Sequence, residues 1–409
     1  MTGSEGAGDR GQWSGEGGAP LSWAAPEFGL DPYPVLRERR PDGVVYDQTS
    51  EGWIALRHAD VVEILRSPGF AKDPRKALDG PYTRIQRAMA GSSMMFMDDP
   101  DRRRVRGLVT RAFTRRRVDA MRTQMEQIAR SLLDEVDGQA TFDLMAAYAM
   151  PLSISVIATL IGVDDAERDR FKAWSEDLEA EYDLALSSDD LKRIARSRNE
   201  LVLYFIGEIE SRTADPRDDL ITALAQAHDE RDQLSLEELV STLVMLLVAG
   251  NVTTTDLIGN GVLALLEHPD QLARLRRDRS LLPNAVEEIL RYDSPVTVTD
   301  RIATQDVEIA GCPVRRGEWV WPALVSANRD PAVHPKPDRF DVARPDIRHV
   351  SFGVGSHLCL GAELARLEAQ VALASLLDRF STLSLDPARP VRRHATPAFR
   401  GIAELWVRV

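Results

Sequence analysis

Cysteine is nearly missing: Cys312 and Cys359 are the only two in 409 residues. Two thiols cannot build a disulfide framework, so the fold has to rest on a packed core, as expected in a reducing compartment. Positive charge is also short. Asp and Glu outnumber Lys and Arg by 64 to 51, a formal net charge of -13, whereas a phosphate backbone calls for the opposite balance. Nucleic acid is excluded as the main partner. No signal peptide and no uninterrupted membrane-spanning run is visible, which points to a soluble cytoplasmic chain with no membrane partner, expected to act as a monomer. Nor is there a Gly-x-Gly-x-x-Gly run between a strand and a helix, so the chain is not expected to carry its own flavin or nicotinamide. Residues 1 to about 20 are rich in Gly and Ser and hold almost no apolar side chains. They cannot offset the entropy of ordering and are expected to form a disordered tail.

What is present suffices for a large core. Hydrophobic residues make up 44% of the chain, and the length admits one large domain or two. VVYD and GWIALR read as a hairpin of short strands, followed by a helix from Ala59 to Leu65. The irregular stretch after Gly69 ends in Met94, Met95, Phe96 and Met97, an apolar run that suits core packing or an adaptable ligand wall. Helical patterns dominate from Pro100 to Arg291. Within them, Arg168 to Arg212 carries mixed charge on two helices joined around Leu186 to Asp189, the pattern of a mobile, solvated cover. After Pro295 the period shortens: VTVTDRIA, DVEI and EWVWPALV read as strands, and a long loop runs from Asn328 to Val350.

Ser235 with Glu238 three residues on is a capping-box signature. It opens a helix expected to run to about His268, on the order of 50 Å long. Its middle, LVMLLVAGNVTTTDLIG, is apolar on nearly every face, as in a helix buried inside protein. Asn251, Asp256 and Asn260 make a membrane span the poorer reading, because polar groups in lipid are costly. Gly250 and the run Thr253, Thr254, Thr255 are weak helix formers, and a threonine hydroxyl can bond back to the i-4 carbonyl. The segment is either a tolerated kink or a local opening beside a ligand.

The chain is organised around VSFGVGSHLCLGAELARLEAQVALASLLDRF, Val350 to Phe380. Cys359 precedes an amphipathic helix whose apolar positions are Leu364, Leu367, Val371, Leu376 and Phe380. Unpaired amides and the dipole at a helix start favour a thiolate, as nucleophile or metal ligand. Gly353, Gly355 and Gly361 allow sharp turns and the approach of a flat group. Together these features suggest a metal carried in a large planar ligand.

These residues resemble the cytochrome P450 haem-thiolate monooxygenases of bacterial type. FGVGSHLCLG matches the family's cysteine loop, Glu288 and Arg291 its Glu-x-x-Arg helix, and Arg339 in PDRF the arginine that locks with that pair. The resemblance covers the chain from about Trp23. It implies a single mainly α domain with small β-sheets, residues 21–409, and a long helix crossing a haem b. It also implies Cys359 as axial ligand of the iron, with Phe352, Gly353 and Gly361 around it. His357, Arg301, Arg106 and Arg102 would hold the haem carboxylates. Cys312 is read as structural. In AGNVTTT, Gly250 and Asn251 fall in the family's oxygen groove and Thr253 at its alcohol position.

Two positions depart from the pattern. Arg102 stands where such sequences often have histidine, and an arginine still serves as a charge-assisted donor. Val252 stands where an acid usually precedes the threonine, and valine cannot relay a proton. Asn251, Thr254, water or Asp256 would have to substitute in a relay through Thr253. The implied reaction is insertion of one atom of O2 into a C–H or double bond of a hydrophobic or amphipathic molecule, with walls expected from Met95, Leu246, Val296 and Val298. Electrons would come from a ferredoxin and its NAD(P)H-dependent reductase, docking on the arginine-rich segment from Arg102 to Arg117. A peroxygenase, a coupling or a desaturating enzyme on the same scaffold stays open. A haem-based sensor is disfavoured, since no output domain is appended.

Overall fold

The alternation in VVYD and GWIALR does fold into a hairpin: β1 (Val44–Asp47) and β2 (Gly52–Ala55) pair antiparallel with Val45 opposite Ile54. Three more strands complete the sheet: β3 (Phe70–Ala71), β4 (Arg301–Ala303) and β5 (Trp319–Pro322), in the order β1-β2-β5-β4-β3. β5 runs parallel to β2, and the other pairs are antiparallel. This computed structural model describes residues 21–409 except 26–27, 29, 181–186, 227, 230–231 and 395–396. The expected tail and Leu186 of the expected link between the cover helices lie outside the described residues, whereas Ser187 caps the second of those helices and Ser188 and Asp189 begin it.

Two of the sequence expectations are shortened by the structure. VTVTDRIA gives a ladder only at Arg301–Ala303, with single bridges from Val296 to Phe399 and from Val298 to Ala323. EWVWPALV ends as a strand at Pro322, and Leu324–Ala327 turns helical. Proline has no N–H to continue a ladder.

Nine helices place the site: α1 (His58–Arg66), α2 (Asp101–Ala112), α3 (Arg122–Glu135), α4 (Met150–Ile161), α5 (Arg168–Glu179), α6 (Ser188–Ala214), α7 (Leu236–Glu267), α8 (Leu282–Tyr292) and α9 (Ala362–Arg379). At its start, the Ser235 hydroxyl accepts from the Glu238 amide (3.2 Å) and the Glu238 carboxylate accepts from the Ser235 amide (2.9 Å), closing the capping box. The 32 residues of α7 span ~48 Å. By length and composition α7 could cross a membrane, yet it packs against α4, α5, α6, α8 and α9 in the middle of the fold. The apolar character is that of a core helix.

No turn of α7 opens at the threonine run. Thr253 and Thr254 donate to the carbonyls of Ala249 and Gly250, each at 2.9 Å, and the helix stays α throughout. At Gly250 a Cβ would lie 3.0 Å from Ile157 Cδ1, so glycine lets α4 and α7 close on each other. In α9 the residues expected to face the core, Leu364, Leu367, Val371 and Leu376, are all buried, as is Phe380 just beyond it.

Candidate active site

The cysteine loop is shaped by its own backbone. Gly353 donates to the Val350 carbonyl (2.8 Å) and Cys359 to that of Phe352 (2.9 Å). Gly355 has φ 76°, and a Cβ there would sit 2.5 Å from the Leu65 carbonyl of α1. Only glycine allows the loop to close on that helix. The loop presents the Cys359 side chain, accessible rather than packed over, to a cavity of about 330 Å³.

The expectation that the helix start alone would favour a thiolate is not met. Burial pushes the Cys359 thiol up, and the Gly361 amide, Arg106 and Arg366 pull it down less strongly. α9 begins only at Ala362, so the sulfur meets one amide rather than a full turn of them. A bound metal ion would have to supply the missing positive charge.

One edge of the cavity is cationic. Arg102, Arg106, Arg301 and His357 line it as expected, joined by Lys72, which the sequence reading missed. Arg102 pairs with Asp99 (2.9 Å), while Arg106 donates to the Leu358 carbonyl (2.6 Å) and Arg301 to the Asp300 carbonyl (2.7 Å). Burial first, then Arg301, Lys72, Arg102 and Arg106, push the His357 imidazole down to about 2. Among the described residues no carboxylate lines the cavity, and no group of three or more His, Cys, Asp and Glu is placed to hold a metal. A metal at Cys359 would therefore bring most of its ligands with it, and the cationic edge calls for a group with carboxylates. Haem b fits both requirements.

The far wall is apolar, formed by Met94, Met95, Met245, Leu246, Ala249 and Val296, with Gly250 and the hydroxyl-bearing Thr253, Thr254 and Thr299 beside them. Met95, Leu246 and Val296 are where the sequence put them. Two residues are not. Val298 lies in a separate core cluster bridged to Ala323, so it is packing rather than cavity wall. The Asn251 side chain turns away from the cavity and donates to Ser175 Oγ on α5 (2.8 Å). Asp256 also faces away, packed against the backbone of Gly401, where a Cβ would collide with its carboxylate.

Behind the loop a third expectation is corrected. Glu288 and Arg291 form a wholly buried pair (2.7 Å), but the arginine that joins them is Arg344, not Arg339. The Arg344 Nε lies 3.0 Å from both Glu288 oxygens. Arg339 instead points outward, 58% exposed and 3.6 Å from Asp341, and contributes only its backbone carbonyl to Arg291 and Arg344. The stretch PDRFDVAR holds two arginines five residues apart, and only packing decides which turns inward.

The profile of the cytochrome P450 family matches residues 48–399. Cytochrome P450 107B1 of Saccharopolyspora erythraea is 41% identical over 386 residues, covering 92% of each chain. The 6-deoxyerythronolide B hydroxylase of the same organism is 39% identical, covering 92% of this chain and 95% of that one. Among solved structures, P450BioI in complex with an acyl carrier protein ligated to hexadec-9Z-enoic acid aligns with a TM-score of 0.87 at 36% identity, covering 93% of this chain and 99% of that one. Sequence and fold agree over almost the whole length: the chain belongs to the cytochrome P450 family, monooxygenases that use haem b and O2.

Proposed function

We propose that this soluble, cytoplasmic enzyme hydroxylates or epoxidises an apolar or amphipathic small molecule, with electrons from a ferredoxin and its NAD(P)H-dependent reductase. The observation that carries the reading is a cavity lined both by Cys359 and by methionine and aliphatic side chains. Haem bound through Cys359 supplies the oxidising chemistry. Arg102, Arg106 and Arg301 would neutralise its carboxylates, and His357, held neutral by those cations, would donate a hydrogen bond to one of them. Met95, Met245, Leu246 and Val296 hold substrate and exclude water, and the flexible methionines adapt to its shape. Thr253 and Thr254 hold hydroxyl protons at the cavity, each on an i-4 carbonyl from which it can turn. The name of the 6-deoxyerythronolide B hydroxylase favours hydroxylation. A spectral screen tests this: apolar compounds should displace the Soret band to shorter wavelength while small charged ones leave it in place. If no apolar compound does so, the reading fails.

The docking face is narrower than the arginine run suggests. Arg102 is buried and Arg104 pairs with Glu238, which leaves Arg103, Arg111, Arg115 and Arg116 exposed. α2, which carries Arg103 and Arg111, touches the cysteine loop where Arg106 donates to the Leu358 carbonyl. An acidic ferredoxin should reduce the protein more slowly as salt is raised. A flat response removes this partner.

A second reading, peroxide as the oxygen source, is favoured by one observation. Val252 is aliphatic, and Asn251 and Asp256 both turn from the cavity. Product yield with hydrogen peroxide, compared with yield from NAD(P)H and redox proteins, separates the two.

A further inference from the structure

The register of the sheet puts two cations side by side. β3 and β4 pair Phe70 with Ala303 and Ala71 with Ile302, and one step further along the same register Lys72 stands beside Arg301. Both line the cavity and both are buried. Like charges at adjacent positions of a sheet repel, so an arrangement of this kind needs anions.

The anions that the chain itself provides fall short. Lys72 pairs with Asp300, and its Nζ lies 5.8 Å from the centre of the Phe96 ring. Asp98 is paired with Lys76 (2.8 Å), and Arg102 is paired with Asp99. Among the described residues Arg301 and Arg106 donate only to backbone carbonyls. Lys72, Arg102, Arg106 and Arg301 thus share two adjacent carboxylates, Asp300 and an Asp99 that also pairs with Arg103 (2.8 Å). Positive charge is left in excess at this edge, where the carboxylates of haem b would neutralise it.

We infer that Lys72 is a further anchoring residue for haem, its ammonium held between Asp300 and a haem carboxylate. The inference rests on the haem-thiolate reading above. Lysine suits the position because an ammonium has three donors and can serve both anions at once. Asp300 fixes the side chain toward the cavity edge, and its second oxygen, buried with no hydrogen-bond partner among the described residues, leaves it dependent on that ammonium.

The experiment follows haem loss from the purified holoprotein to excess apomyoglobin, by the Soret band, for wild type, Lys72→Met, Asp300→Asn and the double variant. The carbon monoxide spectrum of the wild type is recorded first and tests haem ligation by itself. Given that spectrum, Lys72→Met should lose haem about tenfold faster. Asp300→Asn should not lose it faster, and the double variant should match Lys72→Met. The double variant removes one charge of each sign, so it remains informative where the single lysine variant folds poorly. If the double variant retains haem like wild type, Lys72 merely balances Asp300 and the inference is overturned. An unchanged rate in Lys72→Met overturns it equally.

Discussion

The two sides of the cavity are held by different forces. On the Cys359 side the protein uses charge inside the fold. Glu288 and Arg291 are wholly buried with Arg344 beside them, and Asn328 ties the Ser351 hydroxyl and the Val350 amide to the same layer (2.8 and 2.7 Å). Glu287 belongs to it too: burial alone would raise its carboxyl, but hydrogen bonds from His349 and Arg366 hold it at about 2. On the cover side α5 and α6 bond to each other through Ser197 on Asp177 and Trp174 on Glu200, and they lie over α7 through Phe171, Leu178, Leu201, Phe205 and Leu243. A network of buried ions fixes one geometry and fails when a member is removed. An aliphatic seam tolerates exchange and slides. The loop that presents the sulfur is therefore built to stay in place, and the wall that meets substrate to vary.

The contrast is broken most directly at the arginine the sequence reading misplaced. Arg344→Met leaves Glu288 and Arg291 with one partner fewer in a fully buried site and should cost about 3–5 kcal/mol, with loss of haem on purification. Arg339→Met removes only an exposed pair and should cost less than about 1 kcal/mol. Thermal unfolding of the two variants decides it. If Arg339→Met proves the damaging one, the assignment of Arg344 is wrong.

The same layer holds a weak point. His334 is buried, and its Nε2 has no hydrogen-bond partner among the described residues. Burial, then Arg291, His58, Arg344 and His349, push its pKa down to about 4. Its ordinary value is 6.5, so between the two the unfolded chain binds more protons than the folded one. Stability should accordingly fall as pH drops from about 6.5 to about 4. His334→Phe should raise stability by about 1–3 kcal/mol and flatten that acid limb. Urea unfolding midpoints at pH 7 and pH 5 check the sign. A variant that loses stability equally at both pH values would show that the imidazole is needed for packing.

These differences explain what could be read from the sequence. The turn that brings Cys359 to the cavity and the buried pair of Glu288 and Arg291 were legible because each motif fixes residue type and spacing, and so were the capping box of α7 and the apolar face of α9. Arg344 was not, since spacing cannot choose between two arginines in one loop. Lys72 was missed for a different reason. Its meaning comes from the pairing of β3 with β4, and those strands lie 230 residues apart in the chain. Asn251 and Val298 were misjudged because the direction of a side chain on a helix or an irregular strand is set by neighbours, here Ser175 and Ala323.

Between the two sides lies the threonine run. Thr253 lines the cavity and is half-buried, whereas Thr254 lines it but is buried. Thr253→Ala should cut product formed per NAD(P)H about tenfold, with the electrons recovered as hydrogen peroxide, and Thr253→Ser should restore it. Thr254→Ala should do less. If Thr253→Ala keeps full yield with no added peroxide, the hydroxyl has no part in the proton path.

The smallest effect is expected at the polar bond that crosses the seam. Asn251 donates to Ser175 Oγ at 2.8 Å, both side chains buried, so one hydrogen bond ties the cover helix α5 to the turn of α7 beside Thr253. Being neutral, it is worth about 1 kcal/mol. Asn251→Ala, Ser175→Ala and the double variant should show a coupling of that size in unfolding. A bulky haem ligand such as 4-phenylimidazole should bind and leave faster when the tie is cut, because the contacts of Phe171, Leu178, Leu201, Phe205 and Leu243 that remain are apolar and can slide. Imidazole itself, small enough to pass with the cover in place, should keep its rates. Should either variant cost as much as Arg344→Met, the cover would be locked by polar bonding as the cysteine side is, and the division between a fixed and a yielding wall would fall.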